Sequence, residues 1–127
     1  MIEAITAQLV VNALKSLGWT IRRGEESGTR AERHDLLVMD PGGKKVYLIE
    51  LKGGEEPVHF ATIAQVERNG RLLSEVEKAT VTPVLATSQD VRPSLSDLAG
   101  DVGVRVVKAT GSDEEAAASV VQFLQAT

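Results

Sequence analysis

The sequence predicts an α/β domain with its elements in the order α-β-β-β-α-β-α-β-α. Three observations predict it. Segments with apolar residues three and four positions apart are interleaved with short β-rich runs. A compact turn, Asp40-Pro41-Gly42-Gly43-Lys44, joins two of those runs as a hairpin. Beyond residue 57, helix and strand simply alternate, the pattern of parallel strands with crossover helices. A hairpin-bearing first half then joins a right-handed α/β second half around one sheet.

Each element has its own signal. Ile2 to Leu17 reads as a helix with an apolar stripe of Ile2, Ile5, Leu9, Val10, Ala13, Leu14 and Leu17, and Gly18 follows as its stop. Trp19 to Arg23 is a short strand, and the polar, Gly/Ser-bearing stretch 24–33 is a loop. The hairpin strands are Asp35–Met39 and Lys45–Lys52, the second broken sharply by Gly53-Gly54-Glu55-Glu56-Pro57. His59 to Ala79 is the second helix, with Ile63, Val66, Leu73 and Val76 as its stripe, and Asn69-Gly70 predicts a kink or interruption within it. Val81–Thr87 is a buried strand in which Pro83 predicts an edge position or a bulge. Pro93–Leu98 is a short helix, Val102–Val107 a strand and Asp113–Gln125 the last helix, opened by a capping box of Ser112 and Glu115.

A chain of 127 residues fits a single domain, 1–127, large enough to bury a core without disulfides. Aromatic residues make up only 3% of it, so Leu, Val, Ile and Ala must build that core. The absence of cysteine excludes thiol nucleophiles and cysteine-ligated metals, and fits a reducing cytoplasm. No apolar stretch approaches the roughly 18–20 residues of a membrane span, and the first residues lack the pattern of a signal peptide. With 14 basic and 18 acidic residues the net charge is −4, which gives no overall basic footprint. The distribution is uneven: Thr20–Lys52 holds seven basic residues against six acids, whereas Ala109–Thr127 holds three acids and no base.

The residues that carry chemistry are Asp35, Glu50 and Lys52. Alternation along a strand points Glu50 and Lys52 one way and Leu51 the other. A hairpin through the turn brings the chain back, so the Asp35 carboxylate comes near Glu50. Both acids adjoin strongly apolar runs, where a carboxylate is desolvated unless it binds something. Magnesium takes oxygen ligands and uses only one or two protein carboxylates together with waters. Asp35, Glu50 and the backbone carbonyl of Leu51 supply such a set, and Lys52 orients or deprotonates an attacking water or stabilises charge on a phosphorane-like transition state. Carboxylates on opposite faces of the sheet would instead make these ordinary strand-end charges.

Other candidates are less specific. Gln65 lies on the helix after the Glu50 strand, beside Glu67 and Arg68. Arg22, Arg23, Arg30 and Arg33 surround the loop before Asp35, where they contact phosphates with the backbone of Ser27-Gly28 or else pair with Glu25, Glu26 and Glu32. His34 alternates away from Asp35, and two isolated histidines, His34 and His59, do not make a zinc site. The Gly42-Gly43 and Gly53-Gly54 pairs are turn chemistry, with no Lys-Ser/Thr after them to form a nucleotide-binding loop, and no Gly-Xaa-Ser-Xaa-Gly elbow is present.

Asp35 followed across a hairpin by Glu50-Leu51-Lys52 resembles the PD-(D/E)XK nucleases, the restriction-endonuclease-like fold. The resemblance covers most of the chain. A first helix ending in Leu17-Gly18-Trp19, a strand with Arg22-Arg23 and the Glu26-Ser27-Gly28 loop are similar to the Holliday-junction resolvase and Mrr-type branches. It implies a central mixed sheet flanked by helices, with Asp35 and Glu50 as metal ligands, Lys52 as the catalytic lysine and Gln65 near the site. Two positions depart from the pattern. His34 stands where the superfamily name records proline. The first-helix glutamate of many resolvase-type members falls at Ala7, with Glu3 about one turn earlier and Gln8 one residue later.

The expected function is therefore a nuclease dependent on Mg2+ or Mn2+. It would cut phosphodiester bonds in DNA, with RNA left open, as an endonuclease of repair, recombination or phage defence. A homodimer is expected, because one site cuts one strand and paired sites enlarge the basic contact surface. The alternative is a catalytically inactive module of the same fold, serving protein or nucleic-acid interaction in a larger assembly.

Overall fold

A computed structural model describes residues 1–23, 35–55 and 57–127. The elements are α1 (Glu3–Ser16), β1 (Thr20–Arg23), β2 (Leu36–Met39), β3 (Val46–Lys52), α2 (Phe60–Glu77), β4 (Val81–Thr87), α3 (Pro93–Asp101), β5 (Arg105–Lys108) and α4 (Asp113–Ala126). This is the predicted order. The sheet is mixed, as expected: its strands lie in sequence order, with β1, β2 and β3 antiparallel and β3, β4 and β5 parallel.

Alternation along the strands divides the sheet into two faces. Leu36, Val38, Tyr47, Ile49, Leu51, Val84, Ala86 and Val107 belong to one buried cluster with residues of α1 and α4. The other parity faces α2 and α3: Leu37, Leu48 and Val81 pack with Leu73, and Leu85 packs with Ile63, Val66 and Ala99. Two successive right-handed crossovers, β3-α2-β4 and β4-α3-β5, place their helices on one side of such a sheet.

The hairpin turn is organised by Asp40. Its Oδ1 accepts from the amides of Lys44 (2.8 Å) and Lys45 (3.0 Å), and its own amide donates to the Lys45 carbonyl. Those contacts, the Lys45 amide first, hold the Asp40 carboxyl below its usual pKa.

Four expectations about these elements need correction. Of the stripe expected in α1, Val10 and Leu14 are buried but Ile2, Ile5 and Leu17 are exposed, and Thr6, Ala7 and Val11 are buried in addition. It carries apolar residues on two adjoining sides, and packing on α4 and the sheet selects the side with small Ala7 and β-branched Val10 and Val11. In α2 the buried line is Ile63, Val66, Gly70 and Leu73, and Val76 is exposed. Nor does Asn69-Gly70 interrupt that helix, which runs unbroken from Phe60 to Glu77. A Cβ on Gly70 would sit 2.9 Å from Cβ of Pro83, so the glycine lets α2 lie directly on β4. Finally, β4 is an interior strand, although Pro83 suggested an edge. Pro83 pairs with Leu48 of β3 but falls before Val84, where pairing with β5 begins, so the proline occupies the stretch that β5 does not reach.

The ends of elements shift by a few residues. Helix α3 continues to Asp101, β5 starts at Arg105 rather than Val102, and α4 extends to Ala126. The Ser112–Glu115 capping box is present, with the Glu115 amide donating to Ser112 Oγ (3.1 Å) and the Ser112 amide to Glu115 Oε1 (3.2 Å).

Candidate active site

The β2–β3 ladder ends at the pair Leu36↔Ile49, and continuing its register by one residue sets Asp35 opposite Glu50. Residues opposite each other in an antiparallel pair share a face. Asp35 and Glu50 therefore lie on the face of Leu37 and Leu48, the side covered by α2. Lys52, two residues beyond Glu50, has the same parity. The opposite-face arrangement that would have made these ordinary strand-end charges is not what the chain forms.

Asp35, Glu50 and Lys52 line one pocket of about 140 Å³, with Leu51 of β3 and Thr62 and Gln65 of α2. Asp35 is buried at 3% exposure, and Glu50 and Lys52 are half-buried. The Leu51 side chain belongs to the α1/α4 core on the far side of the sheet, so its main chain is what it offers the pocket. The first turns of α2 form the opposite wall, and the positive end of the helix dipole favours negative charge there. His59 precedes α2, exposed, with its amide donating to Thr62 Oγ1 (3.4 Å). It is a helix-start residue and not part of the pocket lining.

Sequence reasoning missed Asn69. Its Nδ2 donates to Glu50 Oε1 at 2.7 Å. The available signal was spacing: Asn69 is one helical turn after Gln65, so both lie on one flank of α2.

The first helix contributes differently from the resolvase pattern. Ala7 is fully buried in the α1/α4 core. Gln8 bonds Asn12 (2.8 Å) and accepts from Arg23 (2.5 Å). Glu3 reaches the end of β3, where its Oε1 accepts from the Gly53 amide at 3.1 Å, next to Lys52. A Cβ on Gly53 would come within 2.5 Å of the Met1 carbonyl, so the start of α1 is pressed onto this strand end. Neither Glu3 nor Gln8 is among the pocket-lining residues.

The two strand arginines separate by parity. Arg22 pairs with Leu37 and shares the face of Asp35 and Glu50, where it forms an ion pair with Glu77. Arg23 pairs with Leu36 on the α1 face, beside Gln8. Ser27, Arg30, Arg33 and His34 lie outside the described residues.

The donor set fits a hard divalent cation: two carboxylates on adjacent strands and a backbone segment between Glu50 and Lys52, all oxygen donors. Among the described residues there is no group of three or more His, Cys, Asp or Glu able to hold a metal.

No family model matches the chain, and no curated protein matches it. Solved structures do. The chain is similar to a repair endonuclease from Pyrococcus abyssi, with 20% identity and a TM-score of 0.61 over 85% of this chain and 46% of that one. It is similar to the EndoMS–dsDNA2 complex, with 19% identity and a TM-score of 0.62 over 87% of this chain and 46% of that one. AF1548, a protein of unknown function, aligns with 16% identity and a TM-score of 0.58 over 95% of this chain and 67% of that one. The chain thus spans slightly less than half the length of the two endonuclease chains. At these identities the likeness defines the fold, a mixed sheet flanked by helices of the kind found in those endonucleases. No helix among the described residues is long and apolar enough to cross a membrane.

Proposed function

We propose that the chain is a PD-(D/E)XK nuclease domain, residues 1–127, that hydrolyses phosphodiester bonds in DNA with Mg2+ or Mn2+. The observation that carries the reading is the shared face and shared pocket of Asp35, Glu50 and Lys52. The endonuclease fold of two solved neighbours, one of them a complex with double-stranded DNA, supports it.

Asp35, Glu50 and the Leu51 main chain would hold the cation. When bound, such an ion polarises a phosphoryl oxygen and lowers the pKa of a coordinated water. Lys52 brings a positive charge and hydrogen-bond donors to the oxygens on which negative charge develops. Gln65, exposed at the pocket wall, offers an amide that orients the water or the phosphate. The apolar surroundings of Asp35 keep bulk water away and strengthen each of these interactions. An endonuclease of repair, recombination or phage defence, working as a homodimer with one site per strand, is the assembly proposed.

Cleavage of supercoiled, single-stranded and branched DNA with Mg2+ or Mn2+ tests the reading. Metal-dependent cleavage that disappears in Glu50→Ala and Lys52→Ala is expected. No cleavage of any substrate by the wild-type chain, together with no uptake of Mn2+, would assign the fold to a non-catalytic role.

A further inference from the structure

We propose that Asn69 is a positioning residue that holds the Glu50 carboxylate in the orientation needed to take a divalent cation. The inference rests on the metal-site reading above and deepens it. It starts from a conflict in the sequence. Asn and Gly are both poor residues for a helix interior, Gly by about 1 kcal/mol relative to Ala, yet Asn69-Gly70 stands in the middle of an unbroken α2. Local choices that contradict the surrounding element tend to mark functional or strained positions.

Both residues have a tertiary role. Gly70 lets α2 settle onto Pro83, where a Cβ would come within 2.9 Å. From that closely docked turn, Asn69 reaches down to Glu50 Oε1 at 2.7 Å in a partly buried setting. Bonding to a carboxylate fixes the amide with its nitrogen toward Glu50, since a carboxylate only accepts. The type of donor matters. An amide is uncharged, so it fixes the carboxylate without neutralising it. A Lys or Arg at this position would compete with the cation. A carboxylate has two oxygens with about four lone-pair sites, so the bond from Asn69 does not by itself fill the positions a ligand would use. Partners of metal ligands commonly act this way, orienting the ligand and tuning its basicity.

Calorimetric titration of the whole chain with Mn2+ tests the proposal without requiring turnover. Asn69→Ala is expected to weaken Mn2+ binding by about tenfold or more, with little change in Tm. Cleavage by that variant should recover as Mn2+ is raised, with the KM for DNA unchanged. A merely structural role would lower Tm and would not be rescued by metal. Asn69→Leu, isosteric with Asn and a better helix former, provides the same reading if the Ala variant is poorly folded. Wild-type Mn2+ affinity in the folded Ala or Leu variant overturns the positioning role and leaves the metal-site reading intact. Absence of Mn2+ binding by the wild-type chain overturns both.

Discussion

Asp35 stands directly across the β2–β3 ladder from Glu50, one step past the Leu36↔Ile49 pair, so the two carboxylates share the sheet face beneath α2. A one-residue slip of this register would put them on opposite faces. The turn fixes the register, with Asp40 bonded to the amides of Lys44 and Lys45 and its own amide to the Lys45 carbonyl.

Because the two acids form one unit, their losses should not add. Asp35→Asn and Glu50→Gln are each expected to lower cleavage by a factor on the order of 100 or more. The double variant should be little worse than either single one. Initial rates on supercoiled DNA with Mn2+ give the comparison, and additive losses would show that the carboxylates act separately.

Lys52 has a different job and should separate from the metal ligands. Lys52→Met is expected to reduce kcat while Mn2+ affinity by calorimetry stays at the wild-type value. Lys52→Arg should not restore the rate, because a planar guanidinium does not replace a compact ammonium at one point. Restoration by arginine would reduce the role of Lys52 to general positive charge.

Gly70→Ala pits helix propensity against packing. Alanine contributes about 1 kcal/mol to the helix, but its Cβ would meet Pro83 at 2.9 Å. Overpacking of that kind costs about 1–3 kcal/mol. Net destabilisation is expected, read as a lower urea midpoint with an unchanged m-value. A more stable variant would show that α2 can lift from β4 without cost.

Acid should weaken the contact between the starts of α1 and α4. Asp113 Oδ1 accepts from the Ile2 amide (2.8 Å) and Thr6 Oγ1 (3.0 Å), and the Ile2 bond is the main cause of its lowered pKa. A carboxyl with a folded pKa below its unfolded value of 3.8 stabilises the fold above that value, and the contribution is lost as pH falls through the folded pKa. Urea unfolding at a series of pH values should show a shallower acid decline in Asp113→Asn than in the wild-type chain. Parallel curves would remove Asp113 from the account. Asp40 and Asp90 are shifted in the same direction, Asp90 chiefly by its bond from Lys108, so part of the acid decline should survive the substitution.

Features encoded by local chemistry are legible along the chain. Two β-rich apolar runs around Asp40-Pro41-Gly42-Gly43-Lys44 specified the hairpin and with it the approach of Asp35 to Glu50. Ser112 and Glu115 specified the start of α4. Alternating helix and strand specified the parallel half of the sheet. Tertiary structure decided the matters in which a residue has two local options. Helix α1 has two apolar sides, and contact with α4 chose Ala7, Val10 and Val11 over Ile2 and Ile5. Arg22 and Arg23 are neighbours in sequence, but strand parity sends one to the face of the candidate site and the other to α1. Asn69-Gly70 looked like a break in a helix because propensity counts only the local cost. The close contact of Gly70 with Pro83 and the bond from Asn69 to Glu50 come from segments distant in sequence, and only packing brings them together.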